Sequence, residues 1–196
     1  MVYCIDIAEQ NKENKMPKIV DHDKKRQEIA LKSTAIFLEH GYKNIGMRQL
    51  CDKLEMSKSA VYYYYKTKDE LFRAATEAIV NLDEDVLAGR PLATSASITQ
   101  QLENFTLIFK QMAPRFFQEM KLVSDYIDVI GIDNIAEDPC MQLANQKYLT
   151  MLTTYVSAEH SNTLYTILLG LLNHQTMIGT ELDTDYVVAQ ASRCLQ

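Results

Sequence analysis

The segment from Gly41 to Leu71 constrains the fold most, because it holds two short helical patterns separated by only three residues. In the first pattern, Met47 to Leu54, apolar residues recur at helical spacing. The second pattern begins at Lys58, directly after Ser57, and serine is a residue type that caps helix N-termini. Two short helices joined by so tight a turn form a helix-turn-helix, whose second helix can lie in a DNA major groove.

The second short helix has an inner and an outer side. Val61 and Tyr65 lie four residues apart, so we expect both to face inward. This spacing leaves the outer positions to Lys58, Ser59, Ala60, Tyr62 and Tyr63.

A third helix follows at once. Thr67 and Glu70 form a capping box, in which the threonine hydroxyl accepts from the Glu70 amide and the Glu70 carboxylate reaches back. The apolar positions Ala78, Ile79 and Leu82 continue this helix, which we expect to end before the turn-forming residues 89–91. It would link the two halves of the chain.

These residues carry a family resemblance. Gly-Tyr, a short helix, and then Ser-Lys-x-x-Val-Tyr-Tyr-x-Tyr-Lys-x-Lys-Asp-Glu-Leu resemble the N-terminal domain of the tetracycline-repressor (TetR) family of bacterial regulators. The similar segment runs from about Lys24 to Ala75. The chain departs from the family pattern at four positions. Glycine is common in the family where Glu55 and Ser59 stand, and a small hydroxyl residue is common where Gly46 and Ala60 stand.

The resemblance implies contacts with the DNA backbone. Lys68 matches a lysine that contacts phosphate, and it stands at a helix start, where amide groups also attract anions. Tyr63 and Tyr64 match positions that touch phosphates, and Tyr62 matches another contact position. Backbone contacts of this kind position a protein on DNA without reading its sequence.

Base reading is assigned to the start of the second helix and to Arg48. The resemblance places Arg48 where an arginine can reach guanine, and its planar fork suits guanine O6 and N7. Lys58 is a second candidate, Ala60 could meet a thymine methyl, and Ser59 could reach a base or a phosphate. The alternative for Arg48 and Lys58 is a solvated surface charge.

The charge is unevenly distributed. The net charge is −6, yet residues 12–73 hold 14 basic and 9 acidic side chains, whereas residues 74–196 hold 6 basic and 15 acidic ones. A basic N-terminal part would attract phosphate while the acidic remainder is repelled, which would orient the protein as it approaches DNA. Lysines that are merely solvated are the simpler reading of the same charges.

The remaining patterns are helical. We expect helices beginning at Ser95 or Ser97, breaking at Pro114, running from Pro139 to about His160, and beginning again near Asp183. The chain is therefore predicted to be all-α with about nine helices: an N-terminal three-helix helix-turn-helix DNA-binding domain, and a C-terminal helical effector-binding and dimerisation domain. The predicted boundaries are 1–22 for a flexible lead, 23–70 for the DNA-binding domain and 71–196 for the C-terminal domain.

The lead is polar and poorly patterned. Met16 resembles the start of many family members, which suggests that it is the natural first residue and that residues 1–15 are an upstream extension. If residues 1–15 belong to the protein, Lys12, Lys15 and Lys18 could form an arm that touches DNA, although a disordered tail fits the composition better.

The C-terminal helices are rich in methionine and aromatic residues. In the family such helices enclose a small molecule, and the resemblance makes Phe109, Met112, Phe116, Met120 and Tyr148 the candidate ligand-binding residues. From the residues alone, a stripe of this kind at helical spacing is equally an ordinary hydrophobic core.

A dimer is expected, because one short recognition helix reads too few base pairs for useful selectivity. The resemblance assigns the interface to residues 161–178 and 183–195, where Gly170 would allow close approach. The resemblance also implies a homodimeric repressor that leaves its DNA operator when a small, largely apolar effector binds. The effector would act by shifting the helix that begins after Thr67. The open alternative is a DNA-binding regulator without a small effector, controlled by a protein partner or by its abundance.

Other classes of function lack support in the sequence. We find no glycine-rich phosphate loop, no paired histidine and carboxylate spacing and no nucleophile elbow, so an enzyme is not expected. The four scattered cysteines show no metal-ligand or disulfide spacing, and no metal or cofactor is predicted. With no signal peptide or membrane-length apolar run, we expect a cytoplasmic protein.

Overall fold

The computed structural model describes residues 21–195. The α-helices in this range are α1 (His22–His40), α2 (Met47–Lys53), α3 (Lys58–Tyr64), α4 (Lys68–Asp85), α5 (Ile98–Met112), α6 (Phe116–Ile130), α7 (Pro139–Tyr155), α8 (Ser161–Ile178) and α9 (Thr184–Ser192), and a 3₁₀ helix, Ile132–Glu137, follows α6. The predicted all-α fold of about nine helices is confirmed over these residues. The predictions that Met16 is the first residue and that Lys12, Lys15 and Lys18 form an arm concern residues outside 21–195.

Side-chain caps begin most of the helices where the sequence predicts them. Ser57, Thr67 and Ser97 each accept a hydrogen bond from the amide three residues later. One half of the Thr67 capping box differs from the prediction. The Glu70 carboxylate accepts from the amide of Lys66 at 2.7 Å, one residue earlier than the cap, because the chain turns sharply there.

Helix α7 is shorter than predicted. It ends at Tyr155, five residues before the expected His160. The carbonyls of its last turn are bound from outside the helix, since the Ala93 amide donates to Thr154 at 2.8 Å and the Asn104 side chain donates to Tyr155 at 2.8 Å. These partners come from distant parts of the chain, which is why the local sequence carries no stop signal.

Two hydrophobic cores lie along the molecule. The N-terminal core contains buried residues of α1–α4 together with Leu122 and Tyr126 from α6 and Cys140 from α7. The C-terminal core is built mainly from α5, α7, α8 and α9, with Val80 of α4 and Phe116 of α6. Helix α4 therefore contributes to both cores and connects them.

The buried side of α4 differs from the prediction in its second half. Leu82 is exposed and Ile79 is only half-buried, whereas Val80 and Asp83 are buried. The helical face that begins with Phe72 continues through Val80 and Asp83. The sequence did not predict this face, because a carboxylate is seldom a core residue.

Asp83 is satisfied by an ionic cluster in which Asp83 and Tyr148 are buried and Arg115 and Glu119 are half-buried, and we call these four residues the buried ionic cluster. The Arg115 guanidinium donates to both carboxylates, and the Tyr148 hydroxyl donates to Asp83 at 2.7 Å. Burial raises the pKa of Asp83 and of Glu119 above the usual carboxyl range, and Arg115 opposes that shift. The cluster joins the second half of α4 to α6 and α7.

Two of the cysteines are buried. Cys51 packs in the N-terminal core, as its position on the inner side of α2 predicts. Burial raises the pKa of the Cys51 thiol, and it raises the pKa of the Cys140 thiol to about 11. Both thiols therefore stay protonated at neutral pH and pack as small apolar groups. Among residues 21–195, no helix is both long enough and apolar enough to cross a membrane.

Candidate nucleic-acid interface

The turn between α2 and α3 is stabilised by backbone hydrogen bonds. The Met56 amide donates to the Cys51 carbonyl, and the Glu55 amide donates to the Asp52 carbonyl, both at 3.1 Å. These bonds form a Schellman motif, which needs a left-handed residue after the helix end. Glu55 occupies that position with φ +54°, where the family resemblance leads one to expect glycine.

The inner side of α3 fixes its position. Val61 and Tyr65 are buried in the N-terminal core, which confirms the packing role predicted for Tyr65. The Tyr65 hydroxyl donates to the Arg26 carbonyl at 2.9 Å, and the Arg26 guanidinium lies 4.3 Å from the centre of the Tyr65 ring. Arg26 also donates to the Tyr64 carbonyl. Helix α1 is thus joined to the C-terminal end of α3.

The outer side of α3 presents the predicted base-reading residues. Lys58 and Ser59 are exposed, Ala60 is half-buried, and Arg48 is exposed on α2. The Ser59 hydroxyl lies 3.1 Å from the hydroxyl of Ser57, which holds it near the helix start. These side chains can therefore be approached by a nucleic acid without any rearrangement of the core.

Three tyrosines continue this surface toward the end of α3. Tyr63 is 62% exposed, and its ring packs edge-on against that of Tyr64, with the ring centres 5.0 Å apart. Tyr62 is half-buried beneath Lys58, whose ammonium lies 5.5 Å from its ring centre. The Tyr63 hydroxyl can donate one hydrogen bond, whereas the Tyr64 hydroxyl lies 3.2 Å from Nδ1 of His22.

Lys68 is held in place by Tyr42. Its ammonium donates to the Tyr42 carbonyl at 3.0 Å and lies 3.9 Å from the centre of the Tyr42 ring. The Tyr42 hydroxyl donates to Asp69, and burial, followed by the Asp69 carboxylate, raises the tyrosine pKa. An ammonium has three donors, so Lys68 keeps donors for a phosphate while its position is fixed.

The candidate ligand-binding residues do not share one environment. Phe109, Met112, Phe116 and Tyr148 are packed in the C-terminal core, whereas Met120 is 44% exposed. Phe109 also lines a cleft of about 450 Å³ between α5 and the segment that joins α8 to α9. A pocket around the other three buried side chains requires that some of them move.

Sequence reasoning missed the residues that connect distant parts of the chain. His22 and Arg26 contact α3 across about forty positions, and Asp83 meets Arg115 across a similar separation. Neither connection has a local pattern. The buried position of Asp83 on α4 was not predicted either, because a carboxylate gives no core signal in a sequence.

Comparison with known proteins supports the identity of the N-terminal domain. Residues 32–75 match the family model described as "Bacterial regulatory proteins, tetR family". The HTH-type transcriptional regulator PksA of Bacillus subtilis (strain 168) is 33% identical over 64 residues, a match that covers 33% of this chain and 31% of PksA. The aligned segment thus spans about a third of that relative's length.

Solved structures share the fold over most of the chain. The multidrug binding protein EbrR, crystallised with imidazole, aligns with a TM-score of 0.63 at 16% identity, covering 87% of this chain and 94% of EbrR. A protein of Pseudomonas aeruginosa PAO1, described as a transcriptional regulator, aligns with a TM-score of 0.56 at 14% identity, covering 88% of this chain and 89% of its own. These likenesses extend the common architecture into the C-terminal helices. Residues 32–75 thus match the tetR family of bacterial regulatory proteins, and the C-terminal helices share the fold of the aligned structures.

Proposed function

We propose that the protein is a homodimeric, DNA-binding transcriptional regulator that represses by occupying an operator. The observation that carries this proposal is the geometry of α3. Its inner residues are fixed in the N-terminal core, while Lys58, Ser59 and Tyr63 point to solvent. A rigid helix with an exposed polar side, preceded by a tight turn, is what major-groove recognition requires.

A dimer is supported by the apolar residues that α8 and α9 leave exposed. Met177 is 78% exposed, and Ile178 and Tyr186 are also accessible. Gly170 faces outward on α8, and a Cβ built there meets no atom within 4 Å. A helix of a second copy could therefore approach the glycine closely and cover these side chains, as in other isologous interfaces.

A small-molecule effector is supported by the arrangement of the C-terminal core. Tyr148 belongs to the buried ionic cluster through its bond to Asp83, and Phe116 directly follows Arg115 of the same cluster. A largely apolar molecule that displaces Phe116 or Tyr148 would disturb the contacts of Asp83 and hence the position of α4. Because α4 also packs in the N-terminal core, this shift would change the spacing of the two α3 helices.

Release of DNA then follows from differential affinity. The effector binds the DNA-incompetent arrangement more tightly, and by linkage DNA weakens effector binding to the same extent. Control by a protein partner or by abundance is the alternative, and the close packing of Phe109, Met112 and Phe116 favours it. A screen of apolar compounds for release of bound DNA separates the two.

The DNA-reading part is tested with variants of two predicted contacts. We expect Arg48→Ala to lose about 1–3 kcal/mol at one base pair of a selected duplex and to relax preference there. Lys68→Ala should weaken all duplexes alike and reduce the salt slope by about one unit. Binding is measured by fluorescence anisotropy on a duplex selected from a random-sequence pool, and on its single-base variants.

The matched control is Lys110→Ala, which removes an exposed lysine from α5 in the C-terminal half. It should leave both affinity and salt slope unchanged. Equal losses for Arg48→Ala on every base variant would reject its base-reading role, and failure of the unsubstituted protein to bind any duplex would reject the proposed function.

A further inference from the structure

His22, the first residue of α1, lies against two of the predicted phosphate-contacting tyrosines. Its Nδ1 atom is 3.2 Å from the hydroxyl oxygen of Tyr64, and its ring centre is 5.6 Å from that of Tyr63. The His22 side chain is exposed on the same surface as Tyr63. No sequence pattern links these residues, because about forty positions separate them.

The position of His22 is fixed by the contacts between α1 and α3. One turn further along α1, Arg26 donates to the Tyr64 carbonyl and stacks on the Tyr65 ring. The Tyr65 hydroxyl returns a hydrogen bond to the Arg26 carbonyl at 2.9 Å. The first turns of α1 therefore move with α3, and a phosphate that reaches Tyr63 and Tyr64 also comes near the imidazole.

Protonation changes the hydrogen bond between the two side chains. In the neutral tautomer that carries its hydrogen on Nε2, Nδ1 accepts from the Tyr64 hydroxyl; in the other neutral tautomer Nδ1 donates. In the protonated ring, Nδ1 donates to the Tyr64 oxygen instead, so the phenol hydrogen is free to turn outward. Histidine is the side chain that ordinarily changes charge between about pH 5 and 8.

We propose that His22 is a phosphate-binding residue whose protonation strengthens DNA binding. The imidazolium supplies a positive charge and an Nε2–H donor, and it releases the Tyr64 hydroxyl to donate to the same phosphate. This inference rests on the proposed DNA-binding function and adds control of it by pH.

The groups around the imidazole are consistent with this role. Around the first turn of α1, the charged residues are Asp21 at the cap, Asp23, Lys24, Lys25 and Arg26. The Asp21 carboxylate accepts from the Lys24 amide at 3.0 Å, and the Lys25 ammonium pairs with Glu28 at 3.0 Å. From α3, the titratable groups that face the ring are the phenols of Tyr63 and Tyr64. The N-terminal end of the 19-residue helix α1 adds a partial positive charge that attracts phosphate.

The test measures affinity for a selected duplex near pH 6 and near pH 8. We expect the unsubstituted protein to bind about 3- to 10-fold more tightly at the lower pH, as gain of one phosphate contact implies. His22→Gln should reduce this ratio to less than about twofold, and at the lower pH it should reduce the salt slope by about 0.9. His22→Lys, which carries a permanent charge, should restore tight binding at the higher pH.

Two further variants separate this role from a structural one. Tyr64→Phe keeps the imidazole charge but removes the hydroxyl, so its pH ratio should fall between those of the unsubstituted protein and His22→Gln. His160→Gln changes a histidine at the start of α8, remote from α3 in the chain, and should keep the full ratio. Thermal unfolding of each variant is followed in parallel, so that a loss of fold is recognised.

A His22→Gln protein that keeps the full pH ratio and salt slope would overturn the proposal while leaving the DNA-binding function intact. So would a loss of affinity that is equal at both pH values and is not restored by His22→Lys. If the unsubstituted protein binds no duplex even near 20 mM salt, where phosphate contacts are strongest, both this proposal and the proposed function fail.

Discussion

The two cores that share α4 are stabilised in different ways. The N-terminal core contains an aromatic group, Phe37, Tyr42, Phe72 and Tyr126, with neighbouring ring centres 4.7–6.3 Å apart. The C-terminal core has more aliphatic than aromatic residues, and it adjoins the buried ionic cluster, in which Asp83 is 0% exposed. Helix α4 is thus held by packed aromatic rings in its first half and by the ion pair of Asp83 with Arg115 in its second half.

This difference bears on what each end of α4 can do. The packed rings join the first half of α4 to α1 and α6 through many small van der Waals contacts. A buried ion pair has few satisfactory arrangements, since each carboxylate needs its cation and its donors in place. In the effector mechanism proposed above, a bound molecule would therefore act on the C-terminal end of α4.

Removal of the cluster cation should have the largest effect. We expect Arg115→Met to lower the free energy of unfolding by about 3–5 kcal/mol near neutral pH, because two carboxylates are left buried without a cation. Urea unfolding followed by circular dichroism, at one fixed protein concentration, measures the change.

The loss should depend on pH. Burial already raises the pKa of Asp83 and of Glu119, and without the guanidinium both pKa values rise further. Acids with raised native pKa values contribute stability at low pH, and they lose that contribution as pH rises through the native pKa. The deficit of Arg115→Met should therefore be smaller near pH 5 than near pH 8.

The matched control for Arg115→Met is Asp83→Asn. This change leaves a neutral pair of Arg115 and Glu119, and it should cost less than removal of the cation. A deficit for Arg115→Met that is equal at both pH values would contradict the role given to the buried charge.

Two tyrosines allow the cores to be compared directly. Tyr148 donates to the wholly buried Asp83, whereas Tyr126 donates at 2.8 Å to Asp138, which also accepts from the backbone amides of Cys140 and Met141. We expect Tyr148→Phe to cost about 1.5–3 kcal/mol of stability and Tyr126→Phe about 0.5–1.5 kcal/mol. If urea unfolding shows equal losses of stability for the two variants, Asp83 and Asp138 depend equally on their tyrosines. That result would contradict the difference described between the two cores.

The smallest expected effect lies in the turn between α2 and α3. Glu55→Gly should raise the free energy of unfolding by about 0.5–1 kcal/mol, because φ +54° is strained for glutamate and easy for glycine. Ser59→Gly is the control, since the family has glycine there too, but Ser59 lies within α3 and glycine weakens a helix. Stabilisation by both changes, or by neither, would contradict the conformational explanation.

Local signals in the sequence predicted the helices and their starts. Ser57, Thr67 and Asp183 were expected to begin helices, and the structure shows each of them capping one. Capping depends on residues within one turn, so it can be read without knowledge of the fold. The left-handed backbone at Glu55 was not predicted, although the family resemblance marked this position as one where glycine is common.

Contacts between distant segments could not be read from the sequence. The end of α7 depends on Asn104 and Ala93, and the environment of Asp83 depends on Arg115 and Tyr148. Which of the buried aromatic residues could line a pocket also depends on packing, and Met120 proved to be exposed. Such features follow from tertiary packing, to which local periodicity gives no access.

We propose above that two copies of α3, held at a fixed spacing in a dimer, bind one DNA duplex. Sedimentation velocity of the protein with a duplex selected from a random-sequence pool tests it most directly. We expect a complex of two chains per duplex, with the second chain binding no more weakly than the first. A protein that stays monomeric, or that fails to bind any selected duplex even near 50 mM salt, would contradict it.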